Sequence, residues 1–170
     1  MPWADVGLVL LLCLSMSACK KAAPLPVAAP DATAEKAPVS GAEVVLRPAG
    51  GPPVRVRVRV ARTEEQRRRG LMYVQNLPVD EGMLFLFPQE DMQVFWMHNT
   101  LISLDMIFIR SDMTVAGVVE NAEPLSLENR GVGTPSRYVL EVNGGLAKKW
   151  GVAAGTPVTF DKVPGYTARP

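Results

Sequence analysis

The sequence is poor in the residues from which most active sites are built. It has two cysteines and one histidine in 170 residues. Both cysteines, Cys13 and Cys19, precede residue 20. The remainder of the chain therefore has no disulfide, no thiol nucleophile and no cysteine-based zinc or redox site. A single histidine, His98, cannot supply a zinc site either. No serine lies in a nucleophile-elbow pattern. No apolar run reaches the ~18–20 residues of a membrane-spanning helix. Neither sign of charge dominates: 18 basic residues face 17 acidic ones, a formal net charge of +1. Such a balance excludes the strong overall field of a nucleic-acid-binding protein. Neither a resident metal nor a cofactor is expected from these residues.

What the chain does have begins with an address. Val6 to Met16 is an almost unbroken apolar run, as long as the hydrophobic region of a secretion signal and too short to span a bilayer. It ends in Met16-Ser17-Ala18-Cys19, small residues directly before a cysteine, which resembles a bacterial lipobox. Residues 1–18 are expected to be a signal peptide and Cys19 the lipidated mature N-terminus. Residues 19–43 are then a disordered tether whose Pro/Ala-rich composition persists to about Gly50 and cannot offset the entropy of ordering. A single globular domain is expected over 44–163, with a tail at 164–170. Two acyl chains on Cys19 would hold the protein to a membrane durably. The expected location is the bacterial cell envelope, lipid-anchored and facing the periplasm. Lys20 after Cys19 leans toward the outer membrane.

Within the domain, Val54 to Val60 alternates valine and arginine, the pattern of a half-buried strand. Its arginines read as a solvated outer face guarding a sheet edge. Thr63-Glu64-Glu65-Gln66 fits a capping box, Arg67-Arg68-Arg69 sits at the negative end of the resulting helix, and Gly70 can end it. Met83 to Phe87 is apolar at every position, a strand covered on both faces and ended by Pro88. Gln93 to His98, Leu104 to Arg110, Thr114 to Val119, Arg137 to Val142 and Thr156 to Lys162 read as further strands. A long polar connection spans 120–136. A second short helix runs from Asn143-Gly144-Gly145 to Trp150, with Gly151 as its cap. No βαβ rhythm occurs. The expected class is α+β: a β-rich antiparallel curled sheet or partly closed barrel with two short helices.

Gly70-Leu71-Met72, Leu77-Pro78, Gly82-Met83-Leu84-Phe85, Phe95-Trp96-Met97, Asn99-Thr100, Leu104-Asp105 and Val139-Leu140-Glu141-Val142-Asn143-Gly144 resemble, in that order, the motifs of domain of unknown function 192. This prokaryotic family is often found behind a secretion signal or lipobox. The resemblance covers roughly 54–161 and implies a compact β-rich domain with no established reaction. Relatives commonly carry Lys or Arg in place of His98, Arg in place of Val74 and often Pro in place of Ser103.

Two acidic residues stand inside apolar strands, Asp105 between Leu104 and Met106 and Glu141 between Leu140 and Val142. Burying a carboxylate is costly unless it is bonded or paired. A structural reading has Asp105 accepting amides of the 99–103 loop and Glu141 pairing with Arg69 or Arg137. A functional reading puts both in one pocket as an acid/base pair, the basis of a hydrolase or lyase acting on an envelope glycan. Six of the eight methionines lie between Met72 and Met113. With Met72, Met92, Met97, Met106 and His98 they allow a copper reading only if at least three converge. Trp96 reads first as a core-packing residue and otherwise as an aromatic platform for a sugar or peptide. The expectation is an accessory module, more a binder than an enzyme, for a small molecule, glycan or protein. Its ligand-binding residues would be drawn from Met72, Trp96, His98, Asn99, Asp105, Glu141 and Asn143.

Overall fold

Strand β2 (Val54–Ala61) buries Val56 and Val58 and turns Arg55 and Arg57 outward, as its alternation requires. It is not an edge. In the computed structural model, which describes residues 41–167, it lies between β1 (Glu43–Leu46) and β3 (Glu81–Asp91). The expected signal peptide, lipidated cysteine and most of the tether lie outside the described residues. The outward arginines are held by carboxylates: Arg55 meets Glu43 at 3.0 Å, and Arg57 meets Asp80 at 2.8 Å and Glu81 at 3.2 Å.

The remaining strands are β4 (Leu104–Ile109), β5 (Val115–Ala122), β6 (Ser136–Asn143) and β7 (Val158–Asp161). Their order in the sheet is β5-β4-β6-β3-β2-β1-β7. Every pair is antiparallel except β2–β3, which runs parallel from Arg57↔Glu81 to Ala61↔Phe85. The sheet is therefore mixed. That parallel pair needs a crossover, and helix α1 (Glu64–Arg69) with the irregular stretch to residue 80 provides it. The two ends of the sheet curl toward each other into a half-barrel. Thr114 bridges Pro157, Val115 N–H donates to Thr156 O at 2.9 Å, and Val158 N–H donates to Met113 O at 2.8 Å.

The capping box of α1 forms as read: Gln66 N–H donates to Thr63 Oγ1 at 3.2 Å and Thr63 N–H to Gln66 Oε1 at 3.1 Å. Gly70 follows with φ +49°. Of the three arginines, Arg67 turns inward, donating to Leu86 O at 3.0 Å and lying 5.3 Å over the Phe87 ring. Helix α2 (Leu146–Trp150) ends on Gly151 at φ +70°.

Three local expectations need correction. Pro88 does not end β3, which continues to Asp91. The ladder to β6 breaks between Leu86 and Asp91, so Pro88 occupies a bulge where its missing N–H costs no hydrogen bond. Residues 93–98 are not a strand and make one isolated bridge, Phe95↔Arg130. Their alternation is nonetheless real, with Met97 buried and Val94 and Trp96 exposed. Conversely, Glu43–Leu46 forms a strand inside what reads as tether composition. Val44 and Leu46 are fully buried because both edges of this four-residue strand are paired. At the other terminus packing extends beyond residue 163, with the Tyr166 ring 4.9 Å from Phe160.

The curled sheet has a core on each face. The inner one gathers Val56, Val58, Leu84, Ile107, Leu140 and Val142. The outer one lies beneath the irregular 71–77 and 95–97 stretches and gathers Leu71, Leu77, Phe85, Met97, Met106 and Phe108. Phe95 stands edge-on to Phe85 at 5.1 Å and to Phe108 at 5.9 Å.

Candidate functional site

The register of β4 against β6 decides what the two interior acids can do together. Met106 lies opposite Glu141, and Asp105 lies opposite Val142. Residues directly opposite share a face, and successive residues alternate faces. Glu141 therefore points to the outer core with Met106, and Asp105 points to the inner core with Val142. An acid/base pair made of Asp105 and Glu141 is excluded, because the sheet itself separates them.

Asp105 is 0% exposed and fully engaged. Oδ1 accepts the Asn121 amide at 2.7 Å and the Gly145 amide at 2.9 Å, and Oδ2 accepts the Ala147 amide at 2.8 Å. The structural reading of this residue is right in kind, but the amides come from β5 and the start of α2 rather than from the 99–103 loop. Gly145, the N-cap of α2, has no side chain to cap the helix. Asp105 performs that role from a neighbouring strand.

Glu141 is the opposite case. It is 4% exposed, and no hydrogen bond or ion pair reaches its carboxyl among the described residues. It pairs with neither Arg69 nor Arg137. Cross-strand neighbours on its two sides are Met83 and Met106. Burial among such groups pushes its carboxyl up to about 8. At neutral pH it is an uncharged acid, able to donate one hydrogen bond and accept another. Gly82 of β3 comes close to the same residue's backbone: a Cβ there would lie 2.5 Å from the Glu141 carbonyl oxygen.

The other expected site residues divide between scaffold and surface. Asn143 donates through Nδ2 to Leu77 O at 2.7 Å, tying the irregular stretch to β6. Asn99, at φ +54°, donates to Tyr73 Oη at 2.8 Å, while Tyr73, at φ +64°, donates its amide to Asn99 O at 2.8 Å. These two reciprocally locked residues hold the 70s stretch against the 90s stretch. Met72 is half-buried beside them in sequence. The named thioethers have unlike surroundings, Met92 exposed and Met97 and Met106 in the outer core. No group of three His, Cys, Asp or Glu that could hold a metal occurs among the described residues.

Trp96 is 51% exposed and stacks on His98, with ring centroids 5.0 Å apart and planes at 28°. It belongs to an apolar strip. The 95–100 and 125–130 segments are zipped together by Phe95↔Arg130, by Met97 N–H donating to Ser126 O at 2.9 Å and by Leu125 N–H donating to Thr100 O at 3.0 Å. On these joined segments Val94, Trp96, Leu125 and Leu127 all face solvent. Trp96 could be singled out from the sequence. The two leucines could not, because they lie in what reads as a polar connection.

The sequence also gives no sign of a cleft of about 1060 Å³ at one mouth of the half-barrel. Arg62, Phe87, Met113, Arg137, Tyr138 and Tyr166 are among its walls. They come from separate parts of the chain.

Comparison with known proteins matches this architecture to a family. The model of DUF192, described as "Uncharacterized ACR", matches residues 44–160. The chain belongs to the DUF192 family. Two solved structures share the domain. A protein of unknown function from Novosphingobium aromaticivorans DSM 12444 is 38% identical, with 69% of this chain and 83% of that chain covered and a TM-score of 0.66. A candidate transcription regulator from Sinorhizobium meliloti 1021 is 39% identical, with 70% and 93% covered and a TM-score of 0.67. No curated protein matches. The DUF192 domain is thus a scaffold shared with these relatives.

Proposed function

We propose that this DUF192 domain is the non-catalytic, protein-binding end of an envelope lipoprotein, tethered to the membrane through Cys19. The observation carrying this reading is the strip of Val94, Trp96, Leu125 and Leu127, with Trp96 half-exposed on top of His98. An exposed large aromatic on joined segments that also expose aliphatic side chains has the composition of a protein-binding hot spot. A sugar site would instead need convergent polar groups beside the ring. The hydrolase reading loses its acid/base pair to the sheet register. The description of the Sinorhizobium relative does not transfer readily: the longest helix among the described residues, α1, has six residues, too short to serve as a recognition helix.

The test is photo-crosslinking in the native cell, with a benzoylphenylalanine at position 96 or, as a control, at exposed Val79. The expected result is a discrete protein adduct at 96 that is absent at 79. No adduct at 96, or the same adducts at both positions, would remove the protein-binding reading. A glycan adduct at 96 would replace it. The tether has its own test. Cys19→Ala should move the protein from the membrane fraction to the soluble fraction, and unchanged fractionation would sink the anchor. A periplasm-facing outer-membrane location is part of the same proposal, resting on Lys20 after the lipobox.

A further inference from the structure

The cleft at the barrel mouth stands apart from the Trp96 strip, and its walls carry charge that nothing else in the fold uses. It opens where β3 and β6 part company. Their ladder is regular through Leu86↔Tyr138, and pairing is lost until Asp91↔Ser136. The bulge around Pro88 leaves a gap, and Arg137 borders it from β6. The Arg137 guanidinium lies 5.8 Å from the centre of the Tyr138 ring. Its Nε is buried and has no hydrogen-bond partner among the described residues. Arg62, just past the end of β2, also lines the cleft and makes no ion pair among the described residues, although its backbone is tied into the α1 cap. On β2, Arg55 and Arg57 have found carboxylates. Arg62 and Arg137 have found none among the described residues.

The same cleft contains one carboxylate, Asp112, already committed to its own turn. It accepts the Thr114 amide at 3.0 Å and the Thr114 hydroxyl at 2.6 Å. The cleft therefore presents two guanidinium groups that make no ion pair among the described residues and one occupied carboxylate, a net positive site. Its apolar wall is formed by Phe87, Met113, Tyr138 and Tyr166. An anionic oxygen brought against the arginines that line the cleft would gain a charge-assisted bond.

We propose that this cleft binds a small organic anion, a carboxylate or phosphate ester with an aromatic or branched apolar body. Its charged oxygens lie between Arg62 and Arg137, and its body lies against Phe87, Tyr138 and Tyr166. The site is independent of the strip that carries the protein-binding reading, so either can fail without the other.

Calorimetric titration of the full-length chain with phenyl phosphate and with benzoate tests it, with benzyl alcohol as the uncharged control. At least one anion should bind with a dissociation constant of about 1 mM or tighter, and the alcohol should not. Arg137→Gln and Arg62→Gln should each weaken binding about tenfold or more, the loss of one charge-assisted bond. Arg68→Gln, on the exposed face of α1 outside the cleft, should leave it unchanged. Should Arg137→Gln fold poorly, the exposed Arg62 carries the test alone. Failure of both anions to bind, equal binding of the alcohol, or undiminished binding by the Arg62 variant would overturn the proposal.

Discussion

Replacing Asp105 by alanine should bring the domain to the edge of unfolding. Three amides, buried at Ala147 and part-buried at Asn121 and Gly145, lose their carboxylate acceptor at once. At about 1–3 kcal/mol for each orphaned donor, the loss is roughly 5 kcal/mol, a large fraction of the ~5–15 kcal/mol that holds an ordinary domain together. Asp105→Asn is nearly isosteric and should still be severe, at about 2–4 kcal/mol. The asparagine keeps one acceptor oxygen but turns an NH₂ group toward amides that themselves donate. It also removes the charge that strengthens the remaining bonds. Urea unfolding of the two variants, followed by circular dichroism, measures both. Stabilities within about 1 kcal/mol of wild type would show that water or another acceptor replaces the carboxylate, and the assignment of Asp105 as the cap of α2 would be wrong.

Asp105 also illustrates what sequence can and cannot convey about this fold. An acid flanked by Leu104 and Met106 announces that something must compensate it, since the alternation of apolar residues is a local signal. Its partners are 16, 40 and 42 residues away, and no local pattern points to them. The capping box at Thr63 and Gln66 was readable because both halves fall within one helical turn. Strand β1 was not. Glu43-Val44-Val45-Leu46 is too short to show a period, and only pairing on both edges makes it a strand. Pro88 misleads for the converse reason: proline ends a strand only where its N–H was needed, and the ladder is already broken there.

The candidate sites divide along the same line. The alternation separates Trp96 from Phe95 and Met97 locally, but whether it packs in the core or faces solvent is not local, and the structure leaves it half exposed. Leu125 and Leu127 join it only through hydrogen bonds between two irregular segments. The faces taken by Asp105 and Glu141 depend on the register of β4 against β6, a long-range quantity. The cleft with Arg62 and Arg137 is assembled from the ends of β2, β3 and β6, the β4–β5 turn and the C-terminal segment, so it has no sequence signature at all.

Glu141→Gln should act in the opposite sense from Asp105→Asn, although the two substitutions are chemically alike. The Asp105 carboxyl is fully bonded by amides, whereas the buried Glu141 carboxyl has no partner among the described residues. In the folded chain its carboxyl keeps its proton up to about 8, against an ordinary value of 4.5. Between those two values the folded state binds more protons than the unfolded state, so stability falls as pH rises. The slope approaches about 1.4 kcal/mol per pH unit, and the full penalty approaches roughly 5 kcal/mol once the carboxylate is ionised in place. Glutamine has nearly the same shape, offers a donor and an acceptor, and does not ionise. The variant should match wild type near pH 4.5, where the acid is neutral in the fold, and exceed it by several kcal/mol at pH 9. Subtracting the two stability-against-pH curves cancels the other titrating groups, so the difference isolates Glu141. It should grow from about pH 4.5 and level off above about pH 8. Parallel curves would mean that the carboxyl ionises normally in the folded state. A donor or cation, absent from the contacts that surround Met83, Glu141 and Met106, would then have to hold it.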